Sequence, residues 1–305
     1  MSRWRIAAAP ISWGVCEVPG WGEQLDSELV LSQMGSLGYA ATELGPAGFL
    51  PEEVEELHTT LGTAGLALAG AFVAPVLHQP ELREAAIMQV RACAATLAEV
   101  GLDAPVVLAC ATGADGYEQH AELDDAGWAM LADGITQAQQ VCASMNVPIV
   151  LHPHVGTMVE RADHVDQVME RTTVALCLDT GHLMAAGADP LRVLSTYAAR
   201  ITHVHLKDVD AAMAERVRAG AVSYADAVSA GMYVPIGTGD VPMTSILTTL
   251  DQAGFAGWMV VEQDRRLAAS PADGSCASGP ARDDAAHAHA YLESFDAAAA
   301  REVAS

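Results

Sequence analysis

The chain has 305 residues, 51% of them apolar, with 39 acidic against 15 basic side chains and a formal net charge of −24. Phosphate backbones and anionic lipid surfaces are bound through clustered Lys and Arg, so this balance argues against nucleic acid and membrane surfaces as partners. No run of eighteen uninterrupted apolar residues occurs, so no membrane span is expected.

The opening MSRWRIAAAPISWG carries two arginines and a short apolar run broken at Pro10. It reads as a first strand, Trp4–Ile11, rather than a signal peptide. Leu25, Leu29 and Leu37 share a helical face before a strand at Ala40–Leu44. Pro51-Glu52-Glu53 opens the next helix, with Pro at the favoured first position and acids in the first turn. The strand Leu66–Phe72, the helix Pro80–Val100, the strand Ala104–Ala109 and the helix Glu122–Met145 follow. Then come the strand Val147–His152, the helix Asp163–Arg171, the strand Val174–Asp179, the helix Asp189–Arg200 and the strand Ile201–His205. The helix Met243–Ala253, the strand Gly257–Glu262 and a tail helix Asp284–Ala299 complete the series.

Strand and crossover helix repeated eight times within this length predict a single (β/α)₈ TIM barrel spanning residues 1–305. No G-x-G-x-x-G follows the first strand, which disfavours an open dinucleotide-binding sheet. Two segments interrupt the alternation. Val209–Met232 reads as a lid insertion with helical character, and Ala268–Asp283, rich in Gly, Ala, Ser and Pro, reads as a loop insertion. The six cysteines form no C-x-x-C pair and suit free thiols of a cytoplasmic protein.

Several of these apolar strands end in ionisable residues. They are Glu43, the pair His152 and His154, Asp179 with His182 three residues on, the alternating His203, His205 and Lys207, and Glu262 with Asp264. In a barrel such positions converge on the C-terminal face, where catalytic groups gather. Burying them together costs several kcal/mol apiece unless something pairs with them. Too few basic residues are present to neutralise the acids, and a divalent cation would do so. His205, nearest the rim, is the better ligand, and His203 a buried neighbour below it. The GTG of Pro235–Asp240 reads as a tight loop rather than a phosphate cradle, since a lone G-x-G is weak evidence.

Together the motifs APISWG, LHPHVGTMVE, CLDTGHLMAAG, HVHLKDV, PIGTGDVPM and WMVVEQD resemble the xylose-isomerase-like barrel superfamily, and within it the inosose dehydratase branch. The resemblance implies a metal site at His152, Asp179, His205 and Glu262, holding one Mn, Co or Zn ion, with Fe or Mg also able to serve. Many sugar epimerases of that superfamily have a glutamate where this chain has His152, paired with the one on strand eight; here that pair is broken, which weighs against a two-carboxylate epimerase mechanism. In its nucleases the residue matching His182 binds a further zinc. Ala71-Phe72-Val73 and Leu108-Ala109-Cys110 offer no histidine to such a cluster, so His182 reads as a substrate contact or an orienter of the ligands.

The expected activity is therefore metal-dependent loss of water from 2-keto-myo-inositol or a similar keto-polyol through an enolate. The alternative is isomerisation or epimerisation of a keto sugar or inosose on the same metal. His154 and Glu43 are the candidate bases, with His182 behind them. His154, His182 and Lys207 are the candidate acids, the lysine if burial lowers its pKa. Trp13 and Phe72 are candidate walls of the site. The expected partner is a small polyol or sugar, and a homo-oligomer is allowed but not indicated.

Overall fold

In the computed structural model, which describes residues 4–100, 103–268 and 278–303, the strands in chain order begin with β1 (Arg5–Ala8), β2 (Ala41–Glu43), β3 (Ala67–Val73), β4 (Val106–Leu108) and β5 (Ile149–Leu151). They continue with β6 (Ala175–Asp179), β7 (Ile201–Leu206), β8 (Asp208–Val209), β9 (Tyr233–Val234) and β10 (Trp258–Val261). All but β8 and β9 close a parallel barrel in the order β1-β10-β7-β6-β5-β4-β3-β2. β8 and β9 pair antiparallel as a separate ribbon. Each strand expected from the sequence is present: β3 is shifted by one residue, β7 runs one residue longer, and the other six are shortened by one to four residues.

Side-chain alternation sorts the barrel into two layers. Val204 and Leu206 of β7, Leu176 and Leu178 of β6, and Ile149 and Leu151 of β5 face outward into the main apolar core beneath the helices. The opposite parity faces the barrel axis. At its floor lie Ala7, Ala41, Ala69 and Val260, with Val107, Val150 and Cys177 beside them. The same inward parity, continued to the strand ends, carries the ionisable residues.

Helices Ser27–Ser36, Val54–Ala64, Arg83–Val100, Asp125–Ser144, Ala162–Arg171, Pro190–Tyr197 and Met243–Gln252 surround the barrel. Three are capped by aspartates whose carboxylates accept first-turn N–H groups: Asp26 from Glu28, Asp124 from Gly127 and Asp189 from Leu191. The helix expected to open at Pro51 begins instead at Val54, with Glu53 as its N-cap residue, and Pro51 stands in the loop. Pro80 belongs to a 3₁₀ turn, Pro80–Leu82, ahead of the long helix. A short helix, Thr180–Ala185, was not expected, because its six residues are too few to show a period.

The insertion Val209–Met232 folds as two short helices, Ala211–Arg218 and Tyr224–Ser229, on the β8–β9 ribbon. The expected loop Ala268–Asp283 lies partly outside the described residues, and the final helix, Gly279–Val303, already covers its last residues. Among the described residues no helix is long and apolar enough to cross a membrane. The five described cysteines are free, and Cys276 lies outside the described residues.

Candidate active site

At the C-terminal end of the barrel, His152 beyond β5, Asp179 of β6, His205 of β7 and Glu262 beyond β10 converge. One donor atom from each lies within 4.8 Å of the others, and all four residues are buried. His152 Nε2 is 3.2 Å from Asp179 Oδ2. His205 Nδ1 is 3.1 Å from Glu262 Oε2 and 3.6 Å from Asp179 Oδ2.

The surroundings of His205 show what this cluster requires. Its Nε2 lies 3.0 Å from Glu43 Oε1 and donates to that carboxylate. Its Nδ1 faces the carboxylates of Glu262 and Asp179 without a hydrogen bond. Burial would lower this imidazole, but Cys177, Glu262 and Glu43 hold it well above its usual pKa, so a positive charge is favoured at that point. A cation placed there satisfies both imidazole and carboxylates, and the N/O donor set suits a divalent transition ion. The four residues brought together are the four expected, and they could hold one such ion.

Glu43 is engaged from below. Its Oε1 accepts from His203 Nε2 and His205 Nε2, each at 3.0 Å. Burial would raise this carboxyl, but His205 and His203 beside it hold it well below the usual carboxylate range. His203 is buried one layer beneath His205, as its parity requires.

Lys207 lies fully buried beside the metal cluster. Its Nζ is 2.8 Å from His182 Nε2, 2.7 Å from Asp264 Oδ1, 3.0 Å from Glu262 Oε2 and 3.5 Å from Asp179 Oδ2. Burial pushes its pKa down, but Asp179, Asp264 and Glu262 outweigh it and hold the ammonium well above the ordinary lysine value. The expectation that burial would lower it is thus reversed: the sequence places the lysine near acids but does not reveal that three of them surround it. Asp264 is pushed up to about 6, by burial and by Glu262, with Lys207 opposing.

His182 Nδ1 meets Tyr233 Oη at 3.1 Å. Burial, with His154 and Lys207 nearby, holds this imidazole well below its usual pKa. His154 is different. Its Nδ1 donates to the carbonyl of Val155 at 2.7 Å, so Nε2 keeps a lone pair, and the residue lines the cavity beneath Tyr117 and Phe72. Burial, His152 and Lys207 push His154 down to about 3.

Above these groups is a cavity of about 420 Å³. Its upper wall is built from loops of the β-strand C-terminal side: Glu17 after β1, Tyr117 after β4 and Tyr224 of the insertion. Tyr117 donates its hydroxyl to Glu17. The insertion is tied to the loop after β4 by Glu118, whose carboxylate accepts the backbone N–H of Tyr224 and of Ala225 at 2.9 and 3.0 Å. Phe72 forms part of the wall, but Trp13 does not. It is buried in the outer core with its indole N–H donated to Gln33.

The PIGTGDVPM loop wraps an anion belonging to the chain itself. Asp208 accepts the backbone N–H groups of Gly237 and Gly239 at Oδ2, and of Val209 and Val241 at Oδ1, at 2.8 to 3.0 Å. Asp240 accepts from Ala211 N. Glu17, Tyr117, Tyr224 and Tyr233 were not anticipated by the sequence reading. Asp264 carried a signal, since it shares the parity of Glu262, whereas Tyr117 sits in a loop and Tyr224 and Tyr233 in elements too short to show a period.

Three comparisons bear on this arrangement. A family model described as xylose isomerase-like TIM barrel matches residues 31–295, and the chain belongs to that family. It is 33% identical over 277 residues to an inosose dehydratase of Geobacillus kaustophilus, covering 87% of this chain and 89% of that one. It is also 33% identical to the rhizopine catabolism protein MocC of Rhizobium meliloti, covering 86% and 82% of the two chains. Among solved structures, the IOLI protein with a bound zinc atom superposes with a TM-score of 0.70 at 15% identity over 94% of this chain and 97% of that one, a likeness of fold.

Proposed function

We propose that this barrel is a dehydratase that removes water from an inosose or closely similar cyclic keto-polyol. Relatives named inosose dehydratase, 30 to 33% identical over 86 to 87% of the chain, support the assignment. So does the charge of the cavity. Among its described lining residues are Glu17, Glu43, Glu262 and Asp264, with Lys207 the cation and no arginine. An uncharged polyol suits such walls, whereas a phosphorylated or carboxylated sugar would meet like charge.

The observation that carries the reaction is the contrast between His154 and its neighbours. Glu43 holds two imidazoles, His182 is hydrogen-bonded at both ring nitrogens, and Lys207 is held by three carboxylates. His154 alone of the candidate proton carriers has a nitrogen, Nε2, that is unprotonated and not taken up by a hydrogen bond, while its Nδ1 is fixed by Val155. It takes the proton alpha to the ketone and returns it to the departing β-hydroxide, so one imidazole serves both half-steps on one face of the ring. Lys207 and the ring hydroxyls' other acceptors orient the substrate. A divalent ion held by His152, Asp179, His205 and Glu262 would act as a Lewis acid toward substrate oxygens. The insertion Val209–Met232, whose Tyr224 lies over the cavity, serves as the lid that keeps bulk water out.

The test is incubation with 2-keto-myo-inositol and product analysis by mass spectrometry. Loss of one water is expected, and His154→Gln should keep its metal while losing about 10² to 10⁴ in kcat. A product of unchanged mass would replace dehydration by isomerisation, and normal turnover by His154→Gln would remove His154 from the chemistry.

A further inference from the structure

Tyr224 belongs to the insertion and Tyr233 to β9 directly after it, both outside the barrel strands, yet their side chains are buried beside Lys207 and His182. Their hydroxyls form part of a closed ring of contacts. Lys207 Nζ meets His182 Nε2 at 2.8 Å, His182 Nδ1 meets Tyr233 Oη at 3.1 Å, and Tyr233 Oη meets Tyr224 Oη at 3.0 Å. Tyr224 then donates to Asp264 Oδ2 at 3.2 Å, and Asp264 Oδ1 returns to Lys207 Nζ at 2.7 Å.

The ends of this path set the direction of every proton in it. An ammonium can only donate, so His182 Nε2 accepts and its proton resides on Nδ1. Nδ1–H then donates to Tyr233, which donates to Tyr224, which donates to the carboxylate of Asp264. Read back from Asp264, which accepts from Tyr224, the order is the same. The ring therefore closes without a conflict between donors, and removing either hydroxyl leaves a buried donor or acceptor without its partner.

We propose that Tyr224 and Tyr233 are positioning residues of the site: their hydroxyls hold His182 as its Nδ1–H tautomer and so keep Lys207 aimed between Asp264 and Glu262. The insertion then completes the barrel's acid–base layer as well as covering it. Gly181 belongs to the same fit. A Cβ there would lie 2.6 Å from Cβ and Cγ of Lys207, so the lysine stem passes where only glycine leaves room.

The kinetic part of the proposal rests on the dehydratase reading; the tautomer does not. Protein labelled with ¹⁵N at histidine, examined by long-range ¹H–¹⁵N correlation, should show His182 protonated at Nδ1. His182 is identified by its absence in His182→Gln or, if that variant does not fold, by the change of its Nδ1–H signal in Tyr233→Phe. Protonation at Nε2 overturns the proposal. In turnover, Tyr224→Phe and Tyr233→Phe should each lower kcat by up to about 10²-fold with KM and metal content little changed, as for a misplaced catalytic group. The double variant should be no slower than the slower single variant, because one ring is broken once. Unaltered kcat in the single variants, or losses that multiply in the double, would refute it. If the wild type leaves the inosose intact, the dehydratase reading fails while the tautomer still decides this proposal.

Discussion

Glu43 shows how a residue's position can be legible while its partners are not. Its place at a strand end marked it as a candidate base, yet its Oε1 accepts from two imidazoles and so orients His205, whose other nitrogen faces the metal cluster. Gly70 is part of the same arrangement: a Cβ there would come within 2.9 Å of Glu43 Oε1, at the point where the β2–β3 register shifts. Partners that fix the second nitrogen of a metal-binding histidine typically contribute 10- to 100-fold in affinity. Glu43→Ala removes the one oxygen that accepts both N–H groups, so roughly that loss of divalent-metal affinity is expected, measured by competition with a chelator. Unchanged affinity together with a deep fall in kcat would return Glu43 to the role of base. Inward parity at His203, His205, Lys207 and Asp264 can be read from alternation alone. Which nitrogen carries each proton cannot, because it depends on partners some 160 residues away along the chain, as between Glu43 and His203.

At the scale of elements, the segment between β7 and the helix Met243–Gln252 was the least legible. Two-residue strands such as β8 and β9 carry no alternation, so the ribbon that brackets the segment read as a lid left no trace in the sequence. The glycines of PIGTGDVPM read as a tight loop rather than a phosphate cradle; the loop does approach an anion closely, but the anion is Asp208, supplied by β8 itself. A Cβ at Gly239 would lie 2.4 Å from Asp208 Oδ1, so the loop closes around the carboxylate only because glycine stands there. This clamp secures the ribbon from which Tyr233 reaches the site. Asp208→Ala leaves four inward N–H groups without their acceptor. A loss of about 3 kcal/mol of folding stability is expected, since buried groups robbed of a charged partner cost this much or more. Urea unfolding of the variant against wild type measures it, and a change below about 0.5 kcal/mol, the usual size for an uninvolved surface site, would show that the clamp is not needed.

On the scale of the whole molecule, the barrel was legible because its two periods are strong: eight apolar runs alternate with amphipathic helices, and each run shows an outward apolar parity. Contacts between elements distant in sequence, such as Glu118 holding the insertion, lie beyond any local pattern. The same convergence that makes the barrel a single closed sheet would couple a metal held by the four-residue cluster to folding. Its ligands come from the ends of β5, β6, β7 and β10, which are adjacent in the barrel, so the donor set exists only when that wall is closed. A net charge of −24 also draws cations toward the surface. Binding to the folded state alone should therefore stabilise the chain, by about 2.7 kcal/mol at a free metal concentration of 100 Kd. For a domain of this size that corresponds to a rise of roughly 5 °C in Tm. Thermal scans of chelator-treated protein with and without Mn, Co or Zn should show such a shift, and His205→Ala, which removes the central ligand, should abolish it. Glu262→Gln should weaken it, because the amide carries no charge to balance the ion. A shift of the same size in His205→Ala would mean that the stabilising ion binds elsewhere on the acidic surface, and the four-residue site would have to be abandoned.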